Sequence, residues 1–288
     1  MLKFLTLLIF LQTSPFVVHA PKGYEDFESW IRTAGEERLK SMEQSLGVPL
    51  PRGYAVYLIP PDQGDLPDWA AGWASPGRIT LRIRKMEDVP EVFTHELAHA
   101  IIWNASGHND LPRWFQEGLA MYLAGESTAL WSRVVVSVEG GPSLISLNHT
   151  FPSEGSAVTQ AYAKSYLAVH VMIRRVGMEG IRTLLSEVRR GKNFDTILMD
   201  VAGLNIPGLD STMKRRVRWS YVYLPLITSS SFLWLALTVF FIVVYIRKRT
   251  RAREILASWE DEANDPDVPC DETLPPGDPG VDRCQPPN

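Results

Sequence analysis

The sequence predicts an α+β domain followed by one membrane-spanning helix. Two short strand-like segments come first, a long run of helical segments follows, and a charge-free apolar stretch of membrane length stands near the C-terminus. The 288 residues are enough for one sizeable domain with a buried core, and the net charge of −4 carries no nucleic-acid footprint.

Met1 to Ala20 has a basic start at Lys3, an apolar run from Phe4 to Leu11 and a small-residue ending. That is the layout of a secretory signal peptide, too short to cross a bilayer as a stable helix. Pro21 is a poor residue to follow a cleavage site, which leaves two readings, a cut leader and a retained anchor. Residues 21–222 are then the exported domain.

Within that domain, Glu25 to Leu46 has helical spacing, with Phe27, Trp30, Ile31, Leu39, Met42 and Leu46 as its apolar positions. Tyr54 to Pro60 reads as a strand, and Arg78 to Arg84 alternates like one, with a Gly/Pro/Asp-rich loop between them. From Asp88 onward the pattern is mostly helical. Asp88 is placed to cap, Pro90 suits the first turn, and Glu91 suits the positive N-terminal end. The closing segments, Glu179 to Gly191 and Phe194 to Gly203, read as a last helical layer, with Arg189, Arg190 and Lys192 on a solvated face.

Leu224 to Ile246 carries no charge and matches the bilayer core in length, with Trp219, Tyr221, Tyr223 and Tyr245 placed as interfacial aromatics. The span is therefore expected over 223–246. Arg247, Lys248, Arg249, Arg251 and Arg253 follow at once and belong in the cytoplasm by the positive-inside rule. Lys214, Arg215, Arg216 and Arg218 precede it, and the leader decides the orientation, with residues 21–222 outside. The segment 247–288 is a basic stop followed, from Glu254 to Asn288, by an acidic, proline-rich tail that is expected to be disordered and to dock a cytoplasmic partner. Both cysteines, Cys270 and Cys284, lie in this tail, so the exported domain has no disulfide and is held by its core or a metal.

The chemistry is carried by "THELAHAIIW", Thr94 to Trp103. On a helix, residues four apart share a face, so His95 and His99 present two imidazoles side by side, with Glu96 next to them. A hydrolytic zinc ion takes three protein ligands and keeps one position open. Downstream, "LPRWFQEGLAMYLAG" places Glu117 on a second helix, read as Leu111 to Leu123. Gly118 beside it would let the two helices approach closely. This resembles the gluzincin pattern, which implies His95, His99 and Glu117 as Zn2+ ligands and Glu96 as the general base acting on a metal-activated water. Some zinc peptidases carry an acidic residue four positions after the third ligand, to orient a histidine. Met121 stands there instead, and Asp110 or a backbone carbonyl is the candidate replacement.

Together with "AYAKSYLAVHVMIRRVG", these segments resemble the peptidase MA-like family of membrane-anchored metallohydrolases from about Trp73 to Trp219. The resemblance implies a gluzincin-like α+β zinc metallopeptidase domain, action on a peptide or protein substrate, and a single-pass protein of a bacterial cell membrane with its catalytic domain extracytoplasmic. Two further features are candidates by analogy. Ala71 to Ser75 or Arg78 to Arg84 would pair with the substrate backbone. Tyr162, with Tyr166 as the alternative, would stabilise the oxyanion. His108 and His170 read as ordinary polar residues, and Asn104 and Asn148 as sequons without consequence in a bacterium.

The competing reading is a non-catalytic membrane-anchored scaffold with a structural zinc and a docking tail. Glu96 argues against it, because a structural site has no use for a base and normally has four ligands. Glu87, Asp88 and Glu91 before the motif and His108, Asn109 and Asp110 after it exclude an intramembrane protease.

Overall fold

A computed structural model describes residues 14–60, 70–83, 86–126, 141–219 and 230–263. They fall into two units, Met1–Tyr223 and Leu224–Asn288.

Alternation in β2 (Tyr54–Ile59) buries Tyr54, Val56 and Leu58 on one face, as a half-covered strand requires. β4 (Arg78–Arg82) is buried at four successive positions, the mark of a central strand covered on both faces. β3 (Gly72–Ser75) pairs antiparallel with β4, and β2 pairs parallel with it, so the mixed sheet expected from the sequence is present. Its strand order is β1-β2-β4-β3, which leaves β3 on an edge.

The remaining strand, β1 (Phe16–His19), lies inside the segment that reads as the end of the leader. It pairs parallel with β2 in the register Phe16↔Tyr54 to His19↔Tyr57. Phe16 is only 1% exposed, and its ring meets Phe93 edge-on at 5.4 Å between centroids. The sheet therefore starts before Ala20, where the sequence reading ended the leader.

The helical segment from Glu25 is broken into α1 (Glu25–Trp30) and α2 (Glu36–Leu46) by a π-helical turn over Ile31–Gly35. The turn packs closely on Phe93: a Cβ on Gly35 would lie 3.0 Å from the Phe93 ring. Phe93, which also meets Trp30 edge-on at 5.9 Å, is thus wedged between β1, the π turn and its own helix.

That helix, α3 (Val89–Ala105), is apolar nearly all round and lies between the sheet and later helices, as its composition demands. Asp88 does not cap it. It ends a 3-10 turn (Met86–Asp88) in right-handed helical conformation, whereas a capping side chain needs an extended backbone to reach back. α4 (Arg113–Ala124) is anchored by Trp114 and Phe115, both fully buried against Phe194. After α5 (Leu144–His149) comes α6 (Gly155–Arg189), which bends at Gly177, where φ 71° and ψ 177° suit only glycine. α7 (Phe194–Ala202) and α8 (Ile206–Val217) are capped by the Asn193 and Asn205 side chains and close the domain.

α6 and α8 are also joined by charge. Lys164 is 1% exposed, and its Nζ lies 2.8 Å from Asp210 Oδ1, while Lys214 lies 3.1 Å from Oδ2. Burial opposes ionisation of Asp210, but the two lysines outweigh it and hold its pKa below the ordinary value.

The second unit consists of α9 (Ser230–Ala263), whose apolar side chains are exposed along its length. It contains a stretch, Ser230–Glu260, long and apolar enough to cross a membrane, whose apolar 18-residue part has mean hydropathy 1.9. The helix continues through the basic stop to Ala263, past Glu254, where the tail was expected to become disordered. Ala252–Ala263 contains no glycine or proline and is rich in helix formers, so nothing local ends it. The rest of the tail, with both cysteines, lies outside the described residues.

Two outcomes are expected in thermal and denaturant unfolding. Phe16→Ala should cost about 3–4 kcal/mol, as for other buried aromatics; an unchanged midpoint would remove β1 from the folded sheet. Asp210→Asn should cost about 3 kcal/mol by stranding the buried Lys164 charge. A carboxyl with a lowered folded pKa stabilises above its unfolded pKa, about 4, so this contribution should disappear as pH falls through the folded value.

Candidate metal centre

α3 brings His95 and His99 together with ring centroids 4.8 Å apart and Nε2 atoms 3.1 Å apart. α4 adds Glu117, whose Oε2 lies 3.6 Å from His95 Nε2 and 3.4 Å from His99 Nε2. Tetrahedral ligands with metal bonds of about 2.0–2.2 Å sit roughly 3.3 Å from one another, so the three atoms outline the edges of a zinc site. Glu117 Oε2 is buried and accepts no hydrogen bond, a state explained by a cation between the three ligands.

The electrostatics agree. Burial alone would lower the His95 pKa, but the carboxylates of Glu117 and Glu126 beside it overcome this and push the value up to about 10. Burial likewise opposes ionisation of Glu117, and the two histidines outweigh it, holding that carboxyl well below its ordinary range. The cavity thus demands positive charge, which a divalent ion supplies without protonating a ligand.

The register of α4 depends on Gly118, although not as the sequence suggested. The close neighbour is α6, not α3: a Cβ on Gly118 would lie 2.2 Å from the Ser165 carbonyl oxygen. Only glycine permits that contact, and it seats Glu117 opposite the histidines.

The partner of His95 was not found from sequence. Glu126 Oε1 lies 2.7 Å from His95 Nδ1, leaving Nε2 directed at Glu117 and His99. Glu126 follows the left-handed C-cap Gly125, so the chain turns back toward α3 only once α4 has ended. A search at one helical turn from Glu117 therefore passes it by. Asp110, the sequence candidate, is exposed. Arg113 also touches the triad. Its Nε lies 3.4 Å from Glu117 Oε1, so Glu117 turns one oxygen to a guanidinium and the other to the histidines.

Glu96 is buried against the edge strand, with the Ala74 backbone N–H beside its carboxylate. Burial is the largest influence on its pKa and raises it, opposed by the neighbouring histidines. β3 comes this close because residue 72 is glycine: a Cβ there would lie 2.7 Å from Glu96 Cγ and 2.8 Å from Val92 Cγ1. The bond from Arg82 N–H to the Ala71 carbonyl sets the alternation along β3, so Gly72 and Ala74 turn their backbone groups away from β4, toward the cleft. Of the two candidate edge segments, Ala71–Ser75 is at the site, whereas Arg78–Arg82 forms a central strand.

Tyr162 borders the cleft beside Glu96 and Glu117, and its ring meets Phe151 at 5.2 Å. Burial, reinforced by Glu117, raises its pKa well above the ordinary phenol value. Tyr166 is buried and stacks on His170, so it packs away from the site. His108, in left-handed conformation in the α3–α4 loop, rests edge-on against Trp103.

An α+β fold that converges His95, His99 and Glu117 beside a buried glutamate has the build of a metallohydrolase. Residues 67–219, more than half of the chain, match the family model described as Peptidase MA superfamily, and the chain belongs to that superfamily. No curated protein gives a significant match. Among solved structures, an M1 zinc metallopeptidase from Deinococcus radiodurans is 17% identical, with a TM-score of 0.45 over 69% of this chain and 46% of that one. A mutant of that peptidase bound to a Tyr-Ser-Ala substrate is 19% identical, with a TM-score of 0.43 over 70% and 47%. The chain spans under half the length of these peptidases.

Glu126→Gln should leave the fold intact and weaken zinc binding by roughly 10–100-fold, as loss of a histidine-orienting carboxylate does elsewhere. Competition with a chelating dye measures this, and unchanged affinity would show that Glu126 does not orient His95.

Proposed function

We propose that the protein is a zinc-dependent peptidase held at the outer face of the membrane by a single span. The observation that carries this reading is the convergence of His95 Nε2, His99 Nε2 and Glu117 Oε2 beside Glu96, which itself lies against an edge strand. A structural zinc site would require neither the buried carboxylate nor the adjacent edge.

Zinc held by His95, His99 and Glu117 would supply Lewis acidity to the scissile carbonyl and to water. Glu96 is the general base. Its raised pKa suits a group that must take a proton from the attacking water and then release it to the leaving amine. Ala74 N–H fixes the carboxylate during that transfer. Gly72 and Ala74 offer the outward edge of β3 to an extended peptide, as in strand addition. Tyr162 stays protonated at neutral pH and donates to the oxygen on which negative charge develops.

α9 is the anchor, and Arg247, Lys248, Arg249, Arg251 and Arg253 after its apolar part support a cytoplasmic C-terminus. The acidic tail beyond them is proposed to dock a cytoplasmic partner.

The test is digestion of a diverse peptide library by the zinc-loaded full chain. Glu96→Gln should retain zinc and lose turnover, and persistent zinc-dependent cleavage would end its assignment as base. Tyr162→Phe should lower kcat by roughly 10²–10³ with little change in KM.

A further inference from the structure

The walls of the cleft differ in charge on the two sides of the metal ligands. Two cavities meet along β3, and both are bordered by Gly72, His95, Glu96 and Tyr162. The one toward the end of β3, about 330 Å³, is completed by the ligands His99 and Glu117 and, beyond them, by Trp73, Ala74, Trp103, Gln116 and Arg113. The one toward its start, about 300 Å³, is completed by Ala70, Ala71, Val92, Glu91 and Glu126. Apart from the metal ligands, one flank is thus aromatic with a guanidinium, and the other is small and acidic. Among the described residues, Arg113 is the only lysine or arginine bordering either cavity.

Arg113 is set up to recognise an anion. It is anchored at two points, with Nε beside Glu117 Oε1 and its guanidinium 5.2 Å from the centre of the Phe151 ring. Its side chain still keeps 48% of its exposure, so the group is positioned but not sealed. A planar guanidinium offers five N–H donors in a fixed fork, and Nε accounts for one of them. The exposed face of Trp73 would cover the apolar stem of a side chain lying there.

We propose that Arg113 makes the cleft selective for peptides that present a carboxylate beside the scissile bond, on the Trp73–Trp103 flank. The acidic flank, with Glu91 and Glu126, repels the same group, so a peptide's charge also sets which way it lies. The carboxylate has two sources, an aspartate or glutamate side chain and the C-terminus of the peptide. The term scissile bond rests on the peptidase reading; the charge selection does not.

The test measures binding rather than turnover, using zinc-loaded full chain carrying Glu96→Gln. Fluorescent peptides are compared in matched pairs, Glu against Gln at each position and C-terminal acid against amide. At one position the carboxylate form should bind about two- to fivefold more tightly, a margin suited to a half-exposed ion pair, and the margin should shrink at high salt. A gain confined to the Glu/Gln pairs assigns the site to a side chain, and one confined to the acid/amide pair assigns it to a chain terminus. Adding Arg113→Gln should abolish the margin, and Arg113→Lys should keep part of it, with zinc content measured in each. Equal binding within every pair overturns the proposal, as does a margin that survives Arg113→Gln or no binding at all. Discrimination by a protein that cuts no peptide would remove the peptidase reading and leave the selective cleft standing.

Discussion

Two imidazole nitrogens 3.1 Å apart and a carboxylate oxygen within 3.6 Å of both stay together only if something holds α3 and α4 in fixed register. Three electron-rich groups at that spacing gain little from one another without a cation. The apolar core supplies the constraint. Phe93 fixes α3 against β1 and the π turn, Trp114 and Phe115 fix α4 against α7, and the absent side chain of Gly118 lets α4 settle onto α6. Most of the domain can be understood as the frame that keeps these few atoms in place.

The same frame brings the sheet to the chemistry. β4 is central and buried, and it positions β3 with an open edge. Gly72 then allows that edge to touch Glu96, with the Ala74 amide beside the carboxylate. One short strand thus orients the proposed base and presents backbone groups to the cleft. A side chain at position 72 would part the two, which is why a four-residue edge strand matters to a site built on helices.

Charge is arranged around the ligands with equal economy. Glu117 faces the histidines with one oxygen and Arg113 with the other, while Glu126 turns His95 by its far nitrogen. The carboxylates raise the His95 pKa to about 10 and make the cavity a place for positive charge. Burial and the same carboxylates raise the pKa of Tyr162. The family match supports the reading of these groups as a metallohydrolase site.

The sequence by itself determined whatever is local. The spacing of His95, Glu96 and His99 is written in one turn of helix, and the alternation of Tyr54–Ile59 needs only its own residues. The apolar character of the stretch after Ser230 is legible for the same reason. Glu117 was legible through a known pattern rather than through local physics. Tertiary structure decided what depends on distant neighbours. Phe16–His19 has the composition of a leader until β2 offers it a ladder. Gly118 reads as a contact between adjacent helices until α6, some forty residues on, takes that place. Glu126 lies beyond the end of its helix, where periodicity carries no information, and only the turn at Gly125 brings it to His95. Packing and hydrogen bonding between segments far apart in the chain set these three outcomes, and no window of sequence contains both partners.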